Sequence, residues 1–183
     1  LAGYESYQRT YSYLSGSKEN LYNPNITEID NAISQPSTSS YTGVYTSTGY
    51  LARLQYDYAD KYFFSASFRR DASSRFHPDN RWGNFWSVGG GWLLNKENFL
   101  IGVKNIDLLK FKASYGVQGN DNLGYTGLHN YNYYSDHYGI ADANGDFALS
   151  LTYKGNKDIT WESSHNFNTG FDSEVFKRRL RGT

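Results

Sequence analysis

The sequence predicts an all-β protein, an antiparallel up-and-down meander of about six strands. Three observations carry this. Aromatic residues recur at every second position in several stretches, and a side-chain period of two belongs to strands. Aromatics make up 18% of the 183 residues while proline occurs only three times, a composition that favours strands. Connections alternate between short and long along the chain, as in a meander whose turns at one end are tighter than at the other.

The elements follow in order. LAGYESYQ reads as the tail of one strand, and the polar stretch 10–40 reads as a long connection. YLARLQYDY, Tyr50 to Tyr58, is a period-two strand. Tyr50, Ala52, Leu54, Tyr56 and Tyr58 share one face, with Leu51, Arg53, Gln55 and Asp57 on the other. Ala59-Asp60-Lys61 is a tight turn. Tyr62, Phe64, Ala66 and Phe68 then alternate with Phe63, Ser65, Ser67 and Arg69, before a polar loop at 70–83. Trp86, Val88, Gly90, Trp92 and Leu94 alternate with Ser87, Gly89 and Gly91. Residues 95–107 form an intermediate connection with a helical turn around Lys96–Phe99. Leu109, Phe111, Ala113, Tyr115 and Val117 alternate with Lys110, Lys112, Ser114 and Gly116. Residues 118–159 are a long connection rich in Asn, Gly, Asp and Tyr, with Asn144-Gly145 as a hairpin turn. Phe167, Thr169 and Phe171 alternate with Asn166, Asn168, Gly170 and Asp172, and Glu174–Arg179 is short again. If the tyrosines of the first hairpin share a face, Tyr58 opposes Tyr62, Tyr56 opposes Phe64 and Leu54 opposes Ala66. The strand near Leu1 and the strand at Asn166–Asp172 are expected to be the two ends of the meander.

Two architectures put aromatics on one face and charges on the other. A soluble sandwich would pack its apolar face on a second sheet, usually with Val, Ile and Leu. A membrane barrel would turn that face to lipid and the polar face to a watery lumen. Here the apolar face is Tyr, Phe and Trp with small Ala and Gly, and tyrosine at strand ends suits a lipid–water interface. This favours the lipid reading, with Tyr56, Phe64, Phe68, Trp92, Phe111, Phe167 and Phe171 lipid-facing and Arg53, Arg69, Lys110 and Lys112 lumen-facing. The soluble carbohydrate-binding β-sandwich stays open as the alternative. A mean hydropathy of −0.71 and the lack of an apolar run of about 20 residues argue against a membrane helix, and a barrel strand needs neither. The formal net charge of zero argues against a nucleic-acid partner. The absence of cysteine excludes disulfides and thiolate metal sites.

RLQYDYADKYFFSASFRRDASSRFHPDNRWGNFWSVGGGW resembles a strand–turn–strand–loop–strand block of the SusC/RagA-type TonB-dependent outer-membrane transporters. The shared order is R-x-x-Y-x-Y-x-D-K-Y, R-R-D-x-S-S-R-F, N-R-W-G and S-V-x-x-G-W. LKFKASYGVQGND and ITWESSHNFNTGFDSEVFKRRL resemble the next strands, so the likeness runs from Leu51 to Leu180, with a weaker stretch at Leu1–Glu5. Trp86 stands where proline is commoner in the family. The resemblance implies part of a large (22-stranded) transmembrane β-barrel in the outer membrane of a Bacteroidetes-like bacterium. It also implies uptake of large nutrients (glycans or peptides) powered through TonB, with a SusD-like surface lipoprotein as lid. The whole of 1–183 is then a single mid-barrel segment, with the plug domain and TonB box absent from it and long outer loops at about 10–40, 70–83 and 118–159. Its partners are the remaining barrel and plug, the lipoprotein, TonB and outer-membrane lipid. A non-pumping barrel or adhesin is the alternative within the membrane class.

Two constellations invite a functional reading. In RRDASSRFHPDNRWG, Asp71, Ser73 and Ser74 are turn formers, and Arg69, Arg70, Arg75 and Arg81 are expected to pair with Asp71 and Asp79 as a structural network. In HNYNYYSDHYGIADANGD, residues 129–146, Tyr131, Tyr133, Tyr134, Asp136 and His137 are candidate contacts to a ligand or to the lid. A self-packing loop is the competing reading. His129 and His137, eight apart, lack a third ligand in a fixed frame, so no metal is expected. No Ser, His and acid stand in a catalytic motif, so neither enzyme activity nor a cofactor is expected.

Overall fold

The computed structural model describes residues 1–124 and 133–182. β1 (Ala2–Ser17) pairs with β2 (Ser37–Tyr58), which pairs with β3 (Tyr62–Ser73), followed by β4 (Trp82–Leu93) and β5 (Ile106–Asn120). β6 (His137–Ala143) and β7 (Asp146–Tyr153) form a separate two-stranded sheet. The chain then returns as β8 (Glu162–Val175) beside β5 and reaches β9 (Leu180–Gly182). Every neighbouring pair is antiparallel, in the order β1-β2-β3-β4-β5-β8-β9.

The first hairpin has the expected register: Tyr58 opposes Tyr62, Tyr56 opposes Phe64 and Leu54 opposes Ala66. A slip by one would bring Arg53 among the rings. Ala59 and Asp60 take left-handed φ values of 53° and 51°, and the Lys61 N–H donates to the Tyr58 carbonyl at 3.0 Å. A two-residue turn of this hand matches the twist of the strands that it joins. The aromatic face carries across the sheet, because Tyr62 opposes Trp92, Trp92 opposes Phe111 and Phe111 opposes Phe171. Asn144 and Gly145, with φ of 58° and 91°, make the expected turn between β6 and β7.

Several expected boundaries move. β1 runs to Ser17 and β2 starts at Ser37, so strand occupies much of the expected 10–40 loop. Tyr and Thr alternate there with β-forming side chains on both faces, so β-propensity is high while the apolar/polar contrast vanishes. β3 reaches Ser73 and β4 begins at Trp82, which shortens the 70–83 loop to 74–81. The 118–159 connection holds β6 and β7 and is not a plain loop. The helical turn lies at Leu94–Lys96, slightly before its expected place. β8 is not quite the end of the sheet: β9 covers Ser173–Val175 and leaves Glu162–Asp172 as an open edge.

Among the described residues no second sheet covers the aromatic face. The buried apolar residues are Ala32, Ala72, Phe76, Phe85 and Tyr133, and none of the seven expected lipid-facing rings is among them. A closed sandwich core, which the soluble reading requires, is therefore not what the aromatics form.

Candidate functional site

The aromatic face is banded. At the short-turn end Tyr58, Tyr62 and Trp92 stack in a row, with centroids 6.3 Å apart at both steps. Glu97 anchors this row by accepting from the Tyr62 hydroxyl at 2.7 Å and from Trp92 Nε1 at 3.1 Å, with Lys61 Nζ at 3.6 Å. Those two hydrogen bonds, and the Lys61 charge behind them, hold the Glu97 carboxyl below its usual range. Toward the other end a second row forms: Tyr4 lies 5.3 Å from Tyr50, and Tyr50 lies 6.1 Å from Trp82. Arg70 covers the Trp82 ring at 5.1 Å. Tyr50 and Tyr58 stand eight residues apart, about 26 Å along the strand. Between them the face carries Leu54, Tyr56, Phe64, Ala66, Phe68, Val88, Tyr115 and Phe167, while Phe111 and Phe171 continue the first row. Tyr56, Phe64, Phe68, Phe167 and Phe171 are exposed, whereas Trp92 and Phe111 are half-buried.

The opposite face is concave. A trough of about 780 Å³ runs over Gly89 and Gly91, between Phe63, Lys110, Lys112, Asp57 and Gln55. Lys112 Nζ pairs with Asp172 at 2.6 Å, and Lys110 Nζ sits over the Phe63 ring at 4.7 Å. Arg69 donates through Nε to both oxygens of Asp71 at 2.7 Å and through Nη2 to Glu5 at 3.0 Å. Gly49 is needed opposite this pair, because a Cβ there would overlap the Asp71 carboxylate. Arg53, Arg69, Lys110 and Lys112 thus share the polar face, as the alternation predicts.

At the long-loop end the polar face closes into a knot. Asp121 accepts from the Tyr45 hydroxyl at 2.8 Å, from Ser73 Oγ at 2.7 Å and from Arg75 Nη1 at 3.4 Å, and the Arg75 guanidinium also covers the Tyr45 ring at 4.9 Å. Phe76 is fully buried and packs 5.5 Å from Trp161, which lies 5.1 Å from Phe85. Gly83 and Gly119 give the Phe85 ring its space, since a Cβ on either would overlap it. Trp161 Nε1 donates to the Arg81 carbonyl at 2.8 Å, and Asn80 Nδ2 donates to the Lys157 carbonyl at 2.9 Å. Arg69 pairs with Asp71 as expected, but Arg75 takes Asp121, Arg70 covers Trp82, and Asp79 meets His77 at 3.3 Å.

The candidate ligand loop divides. Tyr131 and His129 lie outside the described residues. Tyr133 is buried at 3% exposure, and its carbonyl accepts from the Tyr153 hydroxyl at 3.2 Å and from the Asn156 N–H at 3.0 Å. Asp136 accepts from Lys154 Nζ at 2.8 Å and from the Gly155 N–H at 2.9 Å. The lysine first, and then the amide, hold its carboxyl below the usual range. Tyr133 and Asp136 therefore clamp the base of the β6–β7 hairpin, and the expectation that Tyr133 offers a ligand surface is corrected by its burial. Tyr134 stands edge-on to His77 at 5.5 Å, and His137 edge-on to Tyr153 at 5.7 Å. Sequence reasoning missed Asp121, and it missed that Tyr7, Tyr11, Tyr13, Tyr41 and Tyr45 share the polar face. The even spacing of Tyr7, Tyr11 and Tyr13 was the available signal.

No family model matches the chain. TonB-dependent receptor P39 of Formosa agariphila is 40% identical over 129 residues, 70% of this chain and 12% of that protein. TonB-dependent receptor SusC of Bacteroides thetaiotaomicron is 32% identical over 148 residues, 79% of this chain and 15% of that protein. The solved structure of the RagAB peptide transporter superposes with a TM-score of 0.82 at 24% identity, over 98% of this chain and 20% of that one. Over most of its length the chain is similar to a segment of the TonB-dependent receptors, SusC among them. It spans about an eighth to a seventh of the length of the two curated relatives. Trp86 is a paired strand residue opposite Phe68 and lies 5.6 Å from Tyr115.

Proposed function

We propose that these strands are part of the wall of an outer-membrane active transporter in a Bacteroidetes-like bacterium. It imports large nutrients, glycans or peptides, with energy delivered through TonB. The observation that carries this reading is the banded face, in which two aromatic rows enclose exposed apolar side chains on a single-layer sheet. Such a face is unfavourable in water and suits a bilayer with two interfaces. Tyr56, Phe64, Phe68, Trp92, Phe111, Phe167 and Phe171 then contact lipid. Arg53, Arg69, Lys110 and Lys112 line the lumen, beside a plug and the remaining barrel. The connections 18–36, 74–81 and 121–161 lie on the outer side.

The β6–β7 hairpin fits a partner on that side. Phe147, Ile140 and Leu149 are 90%, 73% and 70% exposed, and Ile140 opposes Leu149 across the hairpin. In this reading a SusD-like surface lipoprotein covers that apolar face, with Tyr134 and His137 near the contact.

Lipid contact is tested with brominated phospholipid. In variants of the full-length receptor that keep Trp82, Trp86, Trp92 or Trp161 as the single tryptophan, the first three should be quenched and Trp161 should be spared. Transport is tested by nutrient uptake in cells with and without TonB. Quenching confined to Trp161, or uptake indifferent to TonB, would refute the reading.

A further inference from the structure

Arg70 stands on the aromatic face, where a charge is out of place. In β3 it shares that face with Tyr62, Phe64, Ala66 and Phe68, because every second residue points the same way. Outside the bulge at Ile106–Leu108, it is the one formally charged side chain on the aromatic face of β1 to β5 and β8. That face therefore holds no acid to pair with it, and the histidine there, His165, is bonded to the Tyr115 hydroxyl at 2.9 Å. Arg70 lies eight residues from Tyr62, about 26 Å along the strand, which is close to the height of a barrel's apolar band. Its level is that of the second aromatic row.

The neighbours of Arg70 are donors. Across the adjacent strands it opposes Tyr50 on one side and Asn84 on the other, each strand about 4.8 Å away. Its guanidinium lies 5.1 Å from the Trp82 ring centre, and Trp82 stacks on Tyr50. Arg70, Tyr50, Trp82 and Asn84 are all exposed. Among the described residues no acceptor meets the Arg70 guanidinium, the Tyr50 hydroxyl, the Trp82 indole N–H or the Asn84 amide. We propose that these four residues bind the phosphate of a lipid headgroup in the leaflet on the long-loop side. A guanidinium is a planar fork of N–H donors that matches phosphate oxygens two at a time. The hydroxyl, the indole and the amide each add a donor. The Trp82 face holds the guanidinium at the row by cation–π attraction, where free snorkelling would carry it out into water. The proposal rests on the lipid-facing reading above, which brings headgroups to this level.

The test is native mass spectrometry of the full-length receptor in detergent. It is titrated with diphosphoryl lipid A, the same lipid freed of its phosphates, and phosphatidylcholine. Diphosphoryl lipid A should bind in preference to the other two. Arg70→Ala should weaken that binding by about tenfold or more, the loss of charge-assisted hydrogen bonds. Arg70→Lys keeps the charge without the fork and should fall between the two. Arg53→Ala removes a like charge from the polar face and should leave lipid binding unchanged. Inorganic phosphate should not displace the lipid. The proposal is overturned if the two forms of lipid A bind alike, if Arg70→Ala binds as the parent does, or if Arg53→Ala loses as much. It is also overturned if inorganic phosphate competes, or if Arg70→Ala loses phosphatidylcholine and Tm in step with lipid A. Trp82 quenched by brominated lipid without a preference for phosphate removes the headgroup site alone. Trp82 left unquenched removes the lipid face itself.

Discussion

Leu54 and Gln55 are neighbours in β2 that point to opposite faces, and both are exposed. Leu54 stands four residues from Tyr50 and four from Tyr58, about 13 Å along the strand from each aromatic row. It is therefore at the middle of the proposed lipid band. Leu54 is 60% exposed, so in water an arginine there would lose little packing and should cost no more than about 0.5 kcal/mol. In a bilayer the same arginine meets hydrocarbon, at a cost of about 2–4 kcal/mol near the midplane. That corresponds to about a 30- to 700-fold shift in the folding equilibrium. Gln55→Arg adds the same charge to the polar face beside Asp57, and the change there should stay within about 0.5 kcal/mol. The assay is equilibrium urea unfolding of the full-length protein in phosphatidylcholine vesicles. Leu54→Arg should be the less stable by at least about 1.5 kcal/mol, the gap between the two estimates. Equal stabilities would refute the assignment of faces and with it the lipid band.

Asp121→Ala removes the acceptor shared by Tyr45, Ser73 and Arg75 and should destabilise by about 2–3 kcal/mol, read as faster hydrogen exchange across 74–81 than across the first hairpin turn. Gly119→Ala drives a methyl group into the Phe85 ring and should cost about 1–3 kcal/mol in the same urea titration, whereas Gly16→Ala, with open space around it, should not. The Asp136–Lys154 clamp carries a pH signature. The folded-state pKa of Asp136 is depressed, so its contribution is complete above the unfolded carboxylate pKa and fades as pH falls through the lower folded value. The folded-state pKa of Lys154 is raised, so its share persists below the unfolded lysine pKa and fades only as pH rises through the higher folded value. Protection against hydrogen exchange in residues 133–158, relative to the intrinsic rate at each pH, should therefore fall in acid below the carboxylate range and stay flat through neutral pH. Asp136→Asn should abolish the acid step.

The meander, the register of its first hairpin and the division of its faces were legible in the sequence because each rests on local rules. A period of two separates Phe64 from Ser65 whatever the rest of the chain does, and a slip by one would have mixed Arg53 with the tyrosines. The Asn144-Gly145 turn was equally local, because it needs only two residues that accept positive φ. The extensions of β1 and β2 were hidden because Ser, Thr and Tyr alternate there without an apolar face, and strand pairing itself supplies the order. The site was decided by tertiary structure. Asp121 lies 76 residues from Tyr45 in the chain, and Asn80 lies 77 from Lys157, so no spacing rule connects them. Tyr133 looked like a surface ring among polar neighbours and is buried at the base of the β6–β7 hairpin, where its carbonyl is satisfied by Tyr153 and Asn156. Local alternation determines which face a side chain takes. Which loop lies over that face depends on contacts between distant residues, and only the folded chain brings those together.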